Sequence, residues 1–178
     1  MAQAASKRDI PKAYDPQAVE QRIYDFWLEQ GYFTPEIDRS RQPFVMIMPP
    51  FNVTSELHLG GALVTALEDM MVRWHRMRGE PTLYLPGTDH AGIATQWVVE
   101  RALASDGITR HELGRDRFVE RVWTWVDQYG DAILEQLKRL GASCDWTRRR
   151  FTLDEGPSKA VRTTFVNLYK KGLIYRGE

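Results

Sequence analysis

The sequence is short of cysteine: its 178 residues contain one, Cys144. This excludes an intrachain disulfide and a zinc ribbon, and it fits a reducing compartment, the cytoplasm. Charge of either sign is not in excess, with 24 Lys+Arg against 24 Asp+Glu. The chain as a whole is therefore not an electrostatic nucleic-acid binder. No apolar run approaches the ~18 residues that span a membrane. The opening MAQAASKRDIPKAYDP lacks the hydrophobic stretch of a secretory signal and reads as a lead-in. Neither His-x-x-x-His nor Cys-x-x-Cys spacing occurs, so no protein metal site is expected. The phosphate-binding pattern G-x-x-x-x-G-K-[ST] and the dinucleotide fingerprint G-x-G-x-x-G are both missing. Internal repeats and low-complexity tracts are absent as well.

What is present suffices for one packed domain, since 43% of the residues are hydrophobic. YDPQAVEQRIYDFWLEQGYF predicts an amphipathic helix, capped by Asp15, opened by Pro16 and stopped by Gly31. Val19, Ile23, Phe26 and Trp27 fall on its apolar face. PFVMIM (43–48) is a continuous apolar run, which predicts a buried parallel strand. A helix follows from about His58 to Arg78, with Leu59, Leu63, Ala66, Met70, Trp74 and Met77 on one side and Gly79 as its stop. TLYLPG (82–87) reads as a second strand and GIATQWVVERALASDG as a second helix. LGRDRFVERVWTWVDQYGDAILEQLKRLG predicts the longest helix, with a bend near Gly130. WTRRRFTLD holds an extended segment, GPSKAVRTTFVNLYKKG a further helix, and LIYRG the start of another strand. Strands alternating with helices define an α/β fold with a parallel sheet. Ligands of such sheets bind beyond the carboxyl ends of the strands. Two loops occupy that edge, 49–58 and 86–92.

The unusual residues sit in those loops. Pro49 and Pro50 stiffen the chain as it leaves the first strand. Asn52, Thr54 and Ser55 supply short polar groups. The helix then starts at His58, where free N–H groups and the positive dipole end favour an anion. Gly60 and Gly61 leave the backbone open to a flat ring or a phosphate. Two glycines in the first turns cost about 1 kcal/mol each relative to alanine. Close helix–strand packing would also account for Gly-Gly, and capping for His58. In the second loop, LPGTDHAGIATQ (85–96), Asp89 faces the same cleft. It is suited either to receive a substrate ammonium group or to cap the next helix.

Taken together, the loops are identified with a family. HLGG (58–61) resembles the HIGH motif of class I aminoacyl-tRNA synthetases, and PPFNVTSEL resembles the lead-in of their valine, isoleucine and leucine subgroup. PGTDHAGIATQ resembles the valyl members specifically. YDPQAVEQRIYDFWLEQGYF, RWHRMRGEPTLYLPG, GASCDWTRRRFTLDEG and LYKKGLIYRGE extend the resemblance from about Ala13 to Glu178. It implies a Rossmann-type catalytic domain that joins valine to ATP, giving valyl-adenylate and pyrophosphate, and passes the valyl group to tRNA(Val). By the same resemblance His58 contacts the ATP phosphates, Gly60 and Gly61 let adenine lie against the backbone, and His58 and Gly61 occupy the catalytic motif. Asp89 would bind the amino-acid ammonium, and Pro49, Pro50 and Asn52 would shape the valine pocket. His90 and Gln96 are further candidates. Mg2+ would accompany ATP without a protein cage of its own. Residues 1–40 are then a lead-in and helix. Residues 41–178 are the first half of the catalytic domain, ending near the expected editing-domain insertion.

Three positions depart from the family pattern. Phe51 stands where a third proline is common, Ser55 where glycine is common, and Gly61 where a second histidine is expected. Losing such a donor costs roughly 3 kcal/mol of transition-state stabilisation, by analogy with oxyanion holes, so Gly61→His is expected to raise the rate. A KMSKS-like segment is absent. The chain therefore reads as an incomplete catalytic piece that needs the remainder of the synthetase. The alternatives are a non-catalytic ATP- and amino-acid-binding paralogue, or an RNA-binding accessory domain using Arg148, Arg149 and Arg150. Short charge runs are usually solvated. His75 and His111 read as solvated helix residues, Met70 and Met71 as core, and at least one of Trp123 and Trp125 as core.

Overall fold

The computed structural model describes residues 12–177, so the lead-in before Lys12 and the terminal Glu178 lie outside the described residues. Helix α1 (Pro16–Glu29) opens the fold, with the Asp15 carboxylate accepting from the Gln17 N–H at 3.1 Å. Gly31 ends it in the left-handed region, at φ 67°. Tyr24 is its buried residue, and Phe26 is 48% exposed. The apolar face is thus shifted from the expected one, because the Tyr24 hydroxyl reaches across to the body. It donates to the Ala142 carbonyl at 2.7 Å and accepts from Trp146 Nε1 at 2.8 Å.

The sheet is one parallel ladder broken by proline. β1 (Phe44–Ile47) pairs with β3 (Thr82–Leu85). Beyond Pro49, Pro50 and Pro86 the same two chain segments pair again, as β2 (Phe51–Asn52) and β4 (Gly87–Asp89). Prolines lack the N–H that a ladder needs, so each expected strand stops at its proline and pairing resumes in what was expected to be loop. β5 (Arg150–Phe151) joins the other side of β4. Helix α2 (Leu59–Met77) connects β2 to β3; α3 (Gly92–Ser105), the short α4 (Arg110–Leu113) and α5 (Arg115–Arg139) lie between β4 and β5. A 3₁₀ turn at Trp146–Arg148 precedes β5, and α6 (Glu155–Lys170) follows it.

Met48, Val53, Val72, Tyr84, Ile133, Leu137, Ala142 and Cys144 form the main core, where α2 and α5 meet the sheet. Val99, Leu103 and Phe118 form a smaller one between α3 and α5. Several expectations need correction. Val45 and Ile47 point outward, at 52% and 68% exposure, so β1 is covered on one face only. The apolar stripe of α2 also faces out: Leu59, Leu63, Met70, Trp74 and Met77 are exposed, as is Met71. The buried side of α2 is largely polar, with Gly61, Thr65, Asp69 and Val72. Asp69 Oδ1 accepts the Ser143 N–H at 2.9 Å, and Oδ2 accepts from Arg73 Nε at 2.6 Å. Arg76 donates to the Ser143 carbonyl at 2.7 Å. The LIYRG segment forms no strand among the described residues, because no neighbour runs beside it. No helix of the described residues is long and apolar enough to cross a membrane.

Candidate functional site

β2 and β4 bring the two loops to one edge. Phe51 is in register with Thr88 and Asn52 with Asp89, and the Val53 N–H donates to the Asp89 carbonyl at 3.0 Å. Helix α5 braces the first loop from behind. Trp125 Nε1 donates to the Val53 carbonyl at 3.1 Å, and Gln136 Oε1 accepts the Leu57 N–H at 2.7 Å. Gly130 sits against Val53, where a Cβ would make an ordinary contact with Cγ1 at 3.7 Å. Trp125 and Gln136 escape sequence reasoning because they sit 72 and 79 residues from their partners.

His58 is the N-cap of α2. Its Nδ1 accepts the Gly61 N–H at 3.1 Å. A neutral ring bonded this way carries its proton on Nε2. That N–H has no partner among the described residues, and the side chain is exposed. Capping uses Nδ1 and leaves Nε2–H available to donate, so the two readings of His58 are compatible. Gly60 is exposed, and a Cβ on it would lie 3.0 Å from both Cε1 and Nδ1 of His58. Its lack of a side chain lets the ring fold back over the first turn. Gly61 is different. It is buried, and a Cβ there would meet Leu57 Cδ1 at 2.7 Å and Phe51 Cε1 at 2.9 Å. The Phe51 and Leu57 side chains fill the space beside Gly61, so Gly61→His would require both to shift. Two departures from the family pattern are therefore one packing unit. Pro49, Pro50 and Asn52 are exposed at the rim.

Asp89 ends β4 and does not cap the next helix. The N-cap of α3 is Ala91, at φ 45°, with no side-chain cap. The Asp89 carboxylate instead accepts from Thr152 Oγ1 through Oδ1, at 2.8 Å, and its side chain is 30% exposed. His90 lies beside it, Nδ1 3.2 Å from Asp89 Oδ1. Gln96 is exposed on α3. Thr152, just past β5, was not singled out from sequence. The available signal was a polar residue at the carboxyl end of a third parallel strand.

The remaining candidates have structural partners. His75 is stacked on Phe44 with ring centroids 3.6 Å apart and is bonded to Glu80, so it is not a solvated residue. That bond, with Arg78 second among the attractive partners, holds the Glu80 carboxyl below its ordinary range. His111 is exposed. Arg148 lies 3.1 Å from Asp145 and Arg149 3.8 Å from Asp131; Arg150 bonds to the backbone carbonyls of both arginines. A groove of about 1020 Å³ runs between α1, the later turns of α2 and the end of α5. It includes none of His58, Gly60 or Asp89 and is a separate feature.

The chain as a whole is similar to known proteins. The class I tRNA synthetase family (I, L, M and V) matches residues 22–178, and the chain belongs to it. The relatives narrow the subgroup. The chain is 60% identical over its full length to the valine–tRNA ligase of Dehalococcoides mccartyi, of which it covers 20%. Against valine–tRNA ligase of Bdellovibrio bacteriovorus the identity is 59%, over 93% of the chain and 18% of the relative. The chloroplastic/mitochondrial valine–tRNA ligase 2 of Arabidopsis thaliana is 61% identical over 89% of the chain and 16% of its own length. The chain thus spans about a fifth of the length of these relatives. Among solved structures, a LeuRS of Agrobacterium radiobacter in a complex with tRNA and LeuAMS superposes with a TM-score of 0.72 over 93% of this chain, at 20% identity. That likeness supports the fold, a Rossmann-like α/β architecture.

Proposed function

We propose that the chain carries the ATP- and valine-binding half-site of a valine–tRNA ligase. The observation that carries this reading is the β2–β4 pairing, which joins the His58 turn and Asp89 at one sheet edge. In the reaction, a valine carboxylate oxygen attacks the α-phosphorus of ATP and pyrophosphate leaves. A ribose hydroxyl of the terminal adenosine of tRNA(Val) then takes the valyl group. His58 Nε2–H and the free N–H groups at the start of α2 bind the ATP phosphates. Gly60 allows the nucleotide close to the backbone. Asp89 Oδ2 accepts from the valine ammonium, and Pro49, Pro50 and Asn52 border the side-chain pocket. Gly61 contributes packing in place of a donor. No cluster of His, Cys, Asp or Glu among the described residues is arranged to hold a cation, and Mg2+ enters as part of the MgATP substrate.

The 41–178 stretch is the first half of the catalytic domain on this reading, with 1–40 as its lead-in and helix. The rest of the synthetase and tRNA(Val) are its partners, in the cytoplasm. The similarity to valine–tRNA ligases does not favour the paralogue reading. The contacts of Arg148, Arg149 and Arg150 within the fold speak against an RNA-binding accessory role.

Titration calorimetry with MgATP tests the nucleotide half. His58→Asn keeps a strong N-cap and removes the Nε2 donor. Unfolding temperature should hold while ATP affinity falls severalfold. His58→Ala should lower both. Equal ATP affinity in all three proteins would remove His58 from the phosphate role.

A further inference from the structure

Thr152 joins three chain segments through one oxygen atom. Its hydroxyl lies 2.8 Å from Asp89 Oδ1, 2.9 Å from the His90 backbone nitrogen and 2.6 Å from His90 Nδ1. A hydroxyl has one proton to give and two lone pairs. The backbone N–H can only donate, and it takes one lone pair. An ionised carboxylate can only accept, so Thr152 gives its proton to Asp89 Oδ1. One lone pair remains for His90, and Nδ1 must therefore be a donor. The hydroxyl is then fully used. A neutral His90 ring is held as the Nδ1–H tautomer with Nε2 bare, and Asp89 Oδ2 has no partner among the described residues.

The backbone around this hydroxyl is held on both sides. The Thr152 N–H donates to the Thr88 carbonyl at 3.2 Å, extending the β4–β5 ladder. Ala91, next to His90, is the only non-glycine residue with positive φ among the described residues. Such conformations persist where their surroundings over-determine them. Here Thr95 Oγ1 donates to the His90 carbonyl at 2.6 Å and the Thr95 N–H to the Ala91 carbonyl at 3.0 Å.

We propose that Thr152 is the positioning residue of the amino-acid subsite, turning Asp89 so that Oδ2 alone faces an incoming ammonium group and fixing the His90 ring beside it. The proposal rests on the reading of Asp89 given above. It does not make Thr152 a residue that touches substrate.

The test compares valine with 2-hydroxy-3-methylbutanoate, which has a hydroxyl in place of the ammonium, by calorimetry on the full chain. Thr152→Val keeps the shape and removes the hydroxyl. The affinity ratio of valine over the hydroxy acid should fall about tenfold, the scale of one charge-assisted hydrogen bond. Thr152→Ser should restore it. If Thr152→Val weakens both ligands equally, the hydroxyl serves only packing and the proposal is overturned. Asp89→Asn separates the two claims. Collapse of the ratio in Asp89→Asn with no change in Thr152→Val sinks the role of Thr152 and spares Asp89. An unchanged ratio in Asp89→Asn sinks both. Nitrogen-15 NMR of the His90 ring gives a readout independent of ligand. The neutral wild-type ring should be protonated at Nδ1, and it should return to the ordinary Nε2–H form only when Thr152→Val is combined with loss of the second acceptor, Asp89 Oδ1, 3.2 Å from Nδ1. A wild-type ring protonated at Nε2 would overturn the proposal even if the chain bound neither ligand.

Discussion

At the scale of single residues, the His58 turn puts two adjacent glycines to unlike uses. Gly60 and Gly61 are neighbours, yet one lies under an exposed imidazole and the other against a buried ring. Sequence spacing exposes the first use, because His58 is two positions away. It hides the second, because Phe51 is ten positions back on another element. The same limit hid Thr152, whose partner Asp89 is 63 residues distant. The Gly61 contact is testable. Overpacking a closed site typically costs 1–3 kcal/mol, so Gly61→Ala should lower stability by roughly that amount in urea unfolding. Phe51→Ala removes the ring that a new Cβ would strike. In the double variant the two costs should fall short of their sum by about 0.5 kcal/mol or more, a measurable coupling for residues in contact. Additive costs would show that the Phe51 ring is not what closes the site.

At the scale of elements, helix ends and the parallel direction of the strands were legible, and helix faces were not. Asp15, Pro16, Gly31 and Gly79 each do locally what their residue type predicts. α2 inverts the rule that the apolar stripe points inward. Its polar side is buried because Asp69, Arg73 and Arg76 are satisfied by the 141–143 backbone and Ser143, distant partners that no periodicity registers. The short β2 and β4 were read as loop because two or three residues carry no pattern. Burial also has a consequence for pH across α1, β3 and the segment before the 3₁₀ turn. Burial pushes up the Cys144 thiol, whose ordinary value is 9.0, and the Tyr24 and Tyr84 phenols, whose ordinary value is 10.0. At Tyr84 the bond to Glu68 acts in the same direction. These groups stay protonated in the fold at a pH where the unfolded chain releases its protons. The native state then binds more protons, and stability falls as pH rises. The contribution is complete below the unfolded values and declines above them. Urea midpoints should hold to about pH 9 and drop beyond it, and Cys144→Ala should delay the onset toward about pH 10. A midpoint unchanged to about pH 11 would mean that these groups ionise within the fold at ordinary values.

At the scale of the whole molecule, a chain spanning a fifth of its relatives' length presents much apolar surface to water. Along α6, Val161, Phe165 and Tyr169 recur every four residues at 67%, 63% and 65% exposure. This spacing is one helical face, and no residue of α6 is buried. Among the described residues, Val45 and Ile47 add an uncovered sheet face, and β1 pairs with a strand on one side only. Zero net charge supplies no long-range repulsion between copies. Contiguous apolar patches of this kind drive association, and open strand edges add a template for it. The isolated chain should therefore sediment as a concentration-dependent mixture, with the associated fraction rising in salts that strengthen apolar burial. Val161→Lys combined with Phe165→Glu interrupts the α6 face with opposite charges spaced to pair along the helix. That variant should shift the mixture toward monomer while leaving the MgATP affinity proposed for the His58 turn unchanged. If the wild-type chain stays monomeric at every concentration tested, these faces are less sticky than their exposure implies. If only a change at Ile47 dissolves the associated species, the sheet, not α6, is the surface that joins the copies.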